Sequence, residues 1–274
     1  MIRGYADKWA LITGASSGIG AEFARRLAAR GMHLVLVARR TELMESLAKE
    51  VHTAHGTKCE IISSDLSDME QTAGLYEEMK KRNIKISLLI NNAGFGHVGQ
   101  ILETDVARIH EMLRLNIGAL TDLTYRFLQD MIHAGEGGII NVSSVAAFQP
   151  VAYMGAYAAT KAYVLHFSEA LWAEAWEYGV TVMALCPGTT RTDFFDVSGA
   201  KGWLKNRRAQ TVDKVVKTAL RGFDRRKQFV VSGCGNYLLA TAVRIAMRRD
   251  AVRMSMAFFR PARRIEAGEK VEKR

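Results

Sequence analysis

Tyr157-Ala158-Ala159-Thr160-Lys161 sets a phenol and an ammonium at positions i and i+4, on one helical face a single turn apart. Ser144 lies 13 residues earlier, at the end of an apolar run, where its hydroxyl could hold a substrate oxygen beside the phenol. Such a trio can hand a proton to an oxygen or take one from it. The spacing alone does not decide, because Tyr76, Lys80 and Ser63 repeat it.

A second chemistry-bearing segment is Thr13-Gly14-Ala15-Ser16-Ser17-Gly18-Ile19-Gly20. It follows the short apolar run Trp9–Ile12 and opens an amphipathic pattern with Phe23, Leu27 and Ala28 on one side. A strand, a glycine turn and a helix start in that order expose backbone N–H groups at the positive end of the helix dipole, a site for phosphate. Gly14 permits the tight turn, Gly18 lets a pyrophosphate approach the backbone, and Gly20 lets the helix pack on the strand. An ordinary glycine-rich turn is the competing reading. The next apolar run ends Val37-Ala38-Arg39-Arg40, with two guanidiniums where an acidic residue would accept the ribose hydroxyls of NAD(H). Arginine forks suit a 2′-phosphate, which favours NADP(H) over NAD(H); surface charge at a helix start is the competing reading. Asp65-Leu66 follows the third run; the carboxylate either accepts the adenine amino group or starts a helix. Asn91-Asn92-Ala93-Gly94 closes the fourth, with small residues that let backbone lie against a cofactor, or with a plain turn.

The elements that must position these residues alternate. Strand candidates are 9–13, 33–38, 58–63, 86–91, 138–143, 180–186 and 228–231; helical stretches fall near 18–30, 41–54, 68–82, 103–132, 155–178 and 211–225. Ser67-Asp68-Met69-Glu70 has capping-box spacing, and Gly31 stops the first helix. Runs such as Leu34–Val37 are continuously apolar, as strands covered on both faces are. The pattern predicts an α/β doubly wound parallel sheet of the Rossmann type, about seven strands with helices on both faces. In that frame Tyr76 follows the third strand, beyond the adenosine side, whereas Tyr157 follows the fifth, across the topological switch where nicotinamide sits. Lowering a phenol pKa from about 10 by about 3 units takes roughly 4 kcal/mol of preference for the phenolate. A nearby ammonium and an oxidised nicotinamide can supply that in a partly dry site.

The 274 residues are 49% hydrophobic, enough for a substantial core and against global disorder. Cys59, Cys186 and Cys234 have no metal-ligand spacing, and no metal site is expected; Cys59 and Cys186 read as buried thiols, consistent with a reducing, cytoplasmic setting. The beginning lacks a signal-peptide pattern, and no apolar run is long enough to span a bilayer. The net charge of +10 is unevenly spread: residues 1–200 hold 18 Lys and Arg against 22 Asp and Glu, residues 201–274 hold 20 against 6. Beyond Cys234 an apolar run and then interleaved arginines replace the strand–helix alternation, which divides the chain into a dinucleotide-binding and catalytic domain, 1–233, and a basic helical extension, 234–274. In the extension Arg244, Arg248, Arg249 and Arg253 can snorkel while Leu239, Val243 and Met247 bury, on a partner subunit or on an anionic membrane.

Taken together, the glycine segment, Asn91-Asn92-Ala93-Gly94, Asn116, Ser144, Tyr157, Lys161 and Pro187-Gly188 resemble the short-chain dehydrogenase/reductase family over roughly residues 6–232. The resemblance implies that Tyr157 is the general acid/base, that Lys161 binds the nicotinamide ribose and depresses the Tyr157 pKa, that Ser144 orients the reacting oxygen, and that Asn116 positions a water linking Lys161 to solvent. It implies that Pro187-Gly188-Thr189 and Thr192 contact the nicotinamide and its phosphates, and that 190–210 is a lid. Expected activity is NADP(H)-dependent interconversion of a carbonyl and an alcohol. Phe95, Phe148, Val151, Tyr153 and Met154, with the lid aromatics, suggest a lipophilic substrate such as a steroid, fatty-acyl or terpenoid compound; Lys201, Lys205, Arg207 and Arg208 leave an anionic one open. A homodimer or homotetramer through the helix of Tyr163, Phe167, Leu171 and Trp172 is the expected assembly, with nucleic acid disfavoured as a partner. The alternative function is a non-catalytic NADP(H)-sensing protein whose basic tail binds membrane or nucleic acid.

Overall fold

The computed structural model describes residues 2–199, 208–245 and 247–259. Seven strands form one all-parallel sheet: β1 (Trp9–Thr13), β2 (His33–Ala38), β3 (Cys59–Ser63), β4 (Ile86–Asn91), β5 (Gly137–Val142), β6 (Val180–Cys186) and β7 (Phe229–Val231), in the order β3-β2-β1-β4-β5-β6-β7. The helices are α1 (Gly18–Ala28), α2 (Thr41–His55), α3 (Met69–Lys81), α4 (Val106–Leu113), α5 (Leu120–Ala134), α6 (Gly155–Trp176), the single turn α7 (Phe194–Val197), α8 (Val212–Asp224), α9 (Cys234–Ile245) and α10 (Arg248–Phe259). Chain order reverses between β1 and β4, so a crevice opens at the C-terminal ends of those two strands.

Period-two alternation explains why the sheet is buried twice. Ile12, Leu34, Leu36, Leu88 and Ile90 point to one face and pack with Phe23, Leu27, Met44 and Phe223 of α1, α2 and α8. Leu11, Val35, Val37 and Leu89 point to the other and pack with Leu75, Met79, Leu123, Phe127 and Leu171 of α3, α5 and α6. Each such side chain contributes about 1.5–3 kcal/mol of burial, so the two layers fix the strand ends that carry the loops.

Three local expectations change. The capping residue of α3 is Asp68 rather than Ser67: its carboxylate accepts from Glu70 N and Gln71 N, while Ser67 turns back to Asp65. The helix expected over 103–132 is broken into a 3₁₀ turn at Ile101–Glu103, α4, a π-turn at Arg114–Ala119 and α5. Asp105 caps α4, accepting from Ala107 N at 2.9 Å, which ends the preceding turn. Cys186 is fully buried, but Cys59 is only partly so, because β3 is the sheet edge.

Candidate active site

The glycine turn joins β1 to α1. Gly14 and Gly18 have φ of 64° and 58°, left-handed values that only glycine adopts without strain. A Cβ on Gly20 would strike the Gly14 carbonyl and the Asn92 amide. Asn92 Nδ2 donates to Thr13 O at 2.9 Å and Gly14 O at 3.2 Å, and Thr13 Oγ1 accepts from Asn92 N and Ala93 N, both at 2.9 Å. The ends of β1 and β4 are thereby tied together. Ser17 is the N-cap of α1 but makes no side-chain cap, so side chains leave the first-turn N–H groups to an incoming acceptor. The cradle fits a pyrophosphate.

Arg40 leans over this turn, donating from Nη2 to Ser16 Oγ (3.1 Å) and Ser17 Oγ (2.9 Å). Arg39 is exposed and pairs with Asp65 (3.6 Å) and Glu111 (3.9 Å). Asp65 Oδ1 also accepts from the Ser67 N–H and hydroxyl, so it makes the turn into α3. Burial pushes its pKa up, but these hydrogen bonds and Arg39 together hold it below the usual value. Leu66 and Ala93 line a small cavity with Thr13, Asn91 and Leu115.

Tyr157 and Lys161 are both buried on the same face of α6. Lys161 Nζ donates to Val142 O at 2.8 Å and stands 5.8 Å from the Tyr157 ring centre. Ser144 caps the 3₁₀ turn Val145–Phe148, accepting from Ala146 N at 3.1 Å, and its hydroxyl reaches the Tyr157 phenol. Asn116 lies in the π-turn. Its Nδ2 donates to Phe95 O (2.9 Å) and Thr160 Oγ1 (3.1 Å), and its Oδ1 accepts from Phe95 N (3.2 Å). Gly94 packs between Asn116 and Lys161, with no room for a side chain. Within the polypeptide the phenol is not depressed: burial pushes Tyr157 up to about 12, against the lowering contact with Ser144. Burial also brings Lys161 down to about 8, partly offset by Cys186. The i, i+4 spacing held no sign that both groups would be dry.

The repeated trio sits elsewhere. Tyr76 donates to Asp130 Oδ2 at 3.1 Å, and Lys80 pairs with the same carboxylate at 3.6 Å on the surface of α3.

Pro187 carbonyl accepts from Val145 N at 3.0 Å, joining the Ser144 turn to the segment after β6. Gly188 lies against the Asn236 side chain, and the Thr192 side chain lies against Gly18. Gln210, which no sequence motif marked, clasps this segment. Its N–H donates to Thr189 O (2.8 Å) and its carbonyl accepts from Arg191 N (2.9 Å). Its Oε1 accepts from the buried Ser232 hydroxyl (2.6 Å). Sequence periodicity does not reveal an isolated bridge between residues 20 apart. Of the expected lid, Phe194 packs on Tyr157 with ring centres 5.3 Å apart, and Ser198 O accepts from Val98 N at 2.9 Å. Lys201, Trp203, Leu204, Lys205 and Arg207 lie outside the described residues.

Phe95, Val151 and Met154 gather around Tyr157. Phe148 does not; it packs on Phe229, ring centres 5.9 Å apart. From the far end of the chain, α10 brings Phe259 to the same cluster, and Ser255 Oγ accepts from Ala152 N at 3.0 Å. Leu239 and Met247, expected to bury on a partner subunit or a membrane, are exposed in the chain itself, and Val243 is half-buried; the side chain of Arg244 lies outside the described residues.

Residues 8–202 match the family model for short chain dehydrogenase. The very-long-chain 3-oxoacyl-CoA reductase of Anas platyrhynchos is 31% identical over 69% of this chain, but the match spans only 62% of that protein. The 7beta-hydroxysteroid dehydrogenase of Clostridium sardiniense is 30% identical over 73% of each chain. A solved short-chain dehydrogenase from Sphingobium yanoikuyae, in complex with NADPH, superposes with a TM-score of 0.80 at 33% identity, covering 96% of this chain and 99% of that one. The chain belongs to the short-chain dehydrogenase/reductase family, and by class it is an NAD(P)-dependent oxidoreductase. No described helix is long and apolar enough to cross a membrane.

Proposed function

We propose that this protein interconverts a lipophilic ketone and its secondary alcohol with NADP(H), Tyr157 acting as the general acid/base. The observation that carries the reading is the meeting of the Ser144 and Tyr157 hydroxyls, with Lys161 behind them, inside the apolar cluster of Phe95, Val151, Met154 and Phe194. In reduction the Ser144 hydroxyl holds the carbonyl oxygen and Tyr157 gives it a proton. A phenol whose pKa burial holds near 12 keeps that proton at neutral pH, ready to donate. NADPH, when bound, supplies the hydride to the carbonyl carbon, and alcohol oxidation is the reverse. Lys161 would reach the nicotinamide ribose, and Asn116 fixes the 93–95 loop against Thr160, one residue before that lysine.

The preference for NADP(H) rests on Arg39 and Arg40, with no carboxylate at the end of β2. Arg40 is pre-placed over the phosphate turn, whereas Arg39 must leave Asp65 and Glu111 to serve. Lipophilic substrates fit the apolar lining and the names of the two relatives. We also propose a cytoplasmic homo-oligomer whose C-terminal extension makes peripheral membrane contact. The test is a panel of bulky ketones and alcohols with NADPH, NADP⁺, NADH and NAD⁺, on wild type and Arg39→Asp. Wild type turns over lipophilic members faster with the phosphorylated cofactor, and Arg39→Asp weakens NADPH far more than NADH. Cofactor binding without turnover of any member contradicts the enzyme reading in favour of a sensor; equal losses for both cofactors remove the 2′-phosphate assignment.

A further inference from the structure

We infer that the rim of the Tyr157 pocket docks on an anionic lipid bilayer, through two apolar edges that flank the segment 151–154. This deepens the membrane contact proposed above and rests on reading that cluster as the substrate pocket. The first edge is the turn before α4. Ile101 is 89% exposed, Leu102 95% and Val106 64%, and the turn is anchored to the flanked segment by Gly99 N donating to Tyr153 O at 3.0 Å. The second edge is α10, anchored to the same segment by Ser255 and Ala152. Ala251, Ser255 and Phe259 recur at i, i+4 and i+8 and face the protein. That leaves Met254, 69% exposed, with Val252 and Met256 facing out, and Met247 just before them 75% exposed. Leu238, 72% exposed, extends the apolar surface along α9. Single exposed apolar residues are ordinary, but two such edges beside one pocket mark an interaction surface.

Charge selects the occupant. Arg248, Arg249 and Arg253 are exposed among these apolar residues, and Asp250 is the lone carboxylate in the sequence of α9 and α10. A second copy of the chain, docked by a twofold axis through α10, would bring the arginine rows of the two helices together, since the exposed carboxylates of this surface, Glu103 and Asp105, sit on the other edge beside Leu102. A nucleic acid would leave the methionines and leucines against a polar backbone. An anionic bilayer satisfies both sets: guanidiniums reach the headgroups while Leu102, Met254 and their neighbours enter the acyl boundary. In this orientation the pocket rim meets the phase in which a lipophilic ketone resides, so substrate enters without crossing water.

The test is flotation of the full chain with phosphatidylcholine vesicles, with and without phosphatidylglycerol. Wild type is expected to float with the anionic vesicles, weakly with the neutral ones, and less in high salt. Arg248→Glu/Arg249→Glu/Arg253→Glu should weaken binding by at least about a hundredfold. Ile101→Asp/Leu102→Asp, on the separate edge, should weaken it as well. All of these are exposed, and an unchanged thermal midpoint checks that the fold is intact. Failure of wild type to float, or equal flotation by wild type and both variants, overturns the proposal. Salt-insensitive self-association without flotation overturns it in favour of a second copy. Flotation reports no chemistry, so the proposed reaction stands or falls separately, on turnover of a water-soluble ketone.

Discussion

Lys161 and Tyr157 show how burial rewrites a pair of residues that the sequence presents as a simple acid and base. Lys161 is held near 8 and Tyr157 near 12 by the same dry site. For Lys161 the folded value lies below the unfolded one, so the folded protein bears a buried charge below pH 8 that the unfolded chain carries freely in water. Its contribution to stability is therefore present above about pH 10 and lost as pH falls through 8. Denaturant titration should show stability rising from pH 8 to 10 by this contribution, and Lys161→Met should flatten the rise. A parallel rise in the variant would assign it to other groups. The shared helix face of Tyr157 and Lys161 was legible in the sequence, because residue type and spacing fix what a helix face can present. Their desolvation was not, since it depends on Phe194 and Phe259, distant in the chain. Nor were the different partners of Arg39 and Arg40, Asp65 and Glu111 for the one and the serines of the turn for the other.

Elements obeyed the sequence wherever pattern and packing agree. The strand positions were readable from apolar runs bounded by glycine and polar residues, because strands covered on both faces have no polar side; β3, at the sheet edge, is half-buried and keeps Glu60. The break at Arg114–Ala119 was not readable: Arg114-Leu115-Asn116-Ile117-Gly118-Ala119 continues the helical period, and only the pull of Asn116 toward the Phe95 backbone reports the widened turn. Gln210 was missed for a similar reason, its partners being backbone atoms across a loop. Its role as a positioning residue has a clear kinetic expectation. Gln210→Leu removes the acceptor for the Ser232 hydroxyl and loosens the 187–192 segment, so KM for NADP(H) should rise more than kcat falls. Gln210→Glu keeps an acceptor oxygen and should recover most of the loss. Equal damage from both variants, or a change in thermal midpoint alone, would make the clasp merely structural.

At the scale of the whole molecule, the alternation of strands and helices specifies a doubly wound sheet and places the switch between β1 and β4, which is why position could separate Tyr157 from its copy at Tyr76. The return of α10 to the Tyr157 cluster was not legible. Its inward face carries Ala251 and Ser255 ahead of Phe259, too small and polar a stripe to be told from a solvated one, while its methionines point out. Part of the lopsided charge gains a physical sense from that placement: Arg248, Arg249 and Arg253 are exposed on α10, the helix that returns to the Tyr157 cluster. We propose that one phenol, and not its repeated twin, carries the proton. Single-turnover reduction of a bulky ketone at saturating NADPH measures it directly, comparing Tyr157→Phe with Tyr76→Phe. We predict a loss of about 10²–10⁴-fold for Tyr157→Phe with NADPH affinity retained, and a rate near wild type for Tyr76→Phe. Turnover at an undiminished rate in Tyr157→Phe, or an equal loss in both variants, would assign the proton to another group.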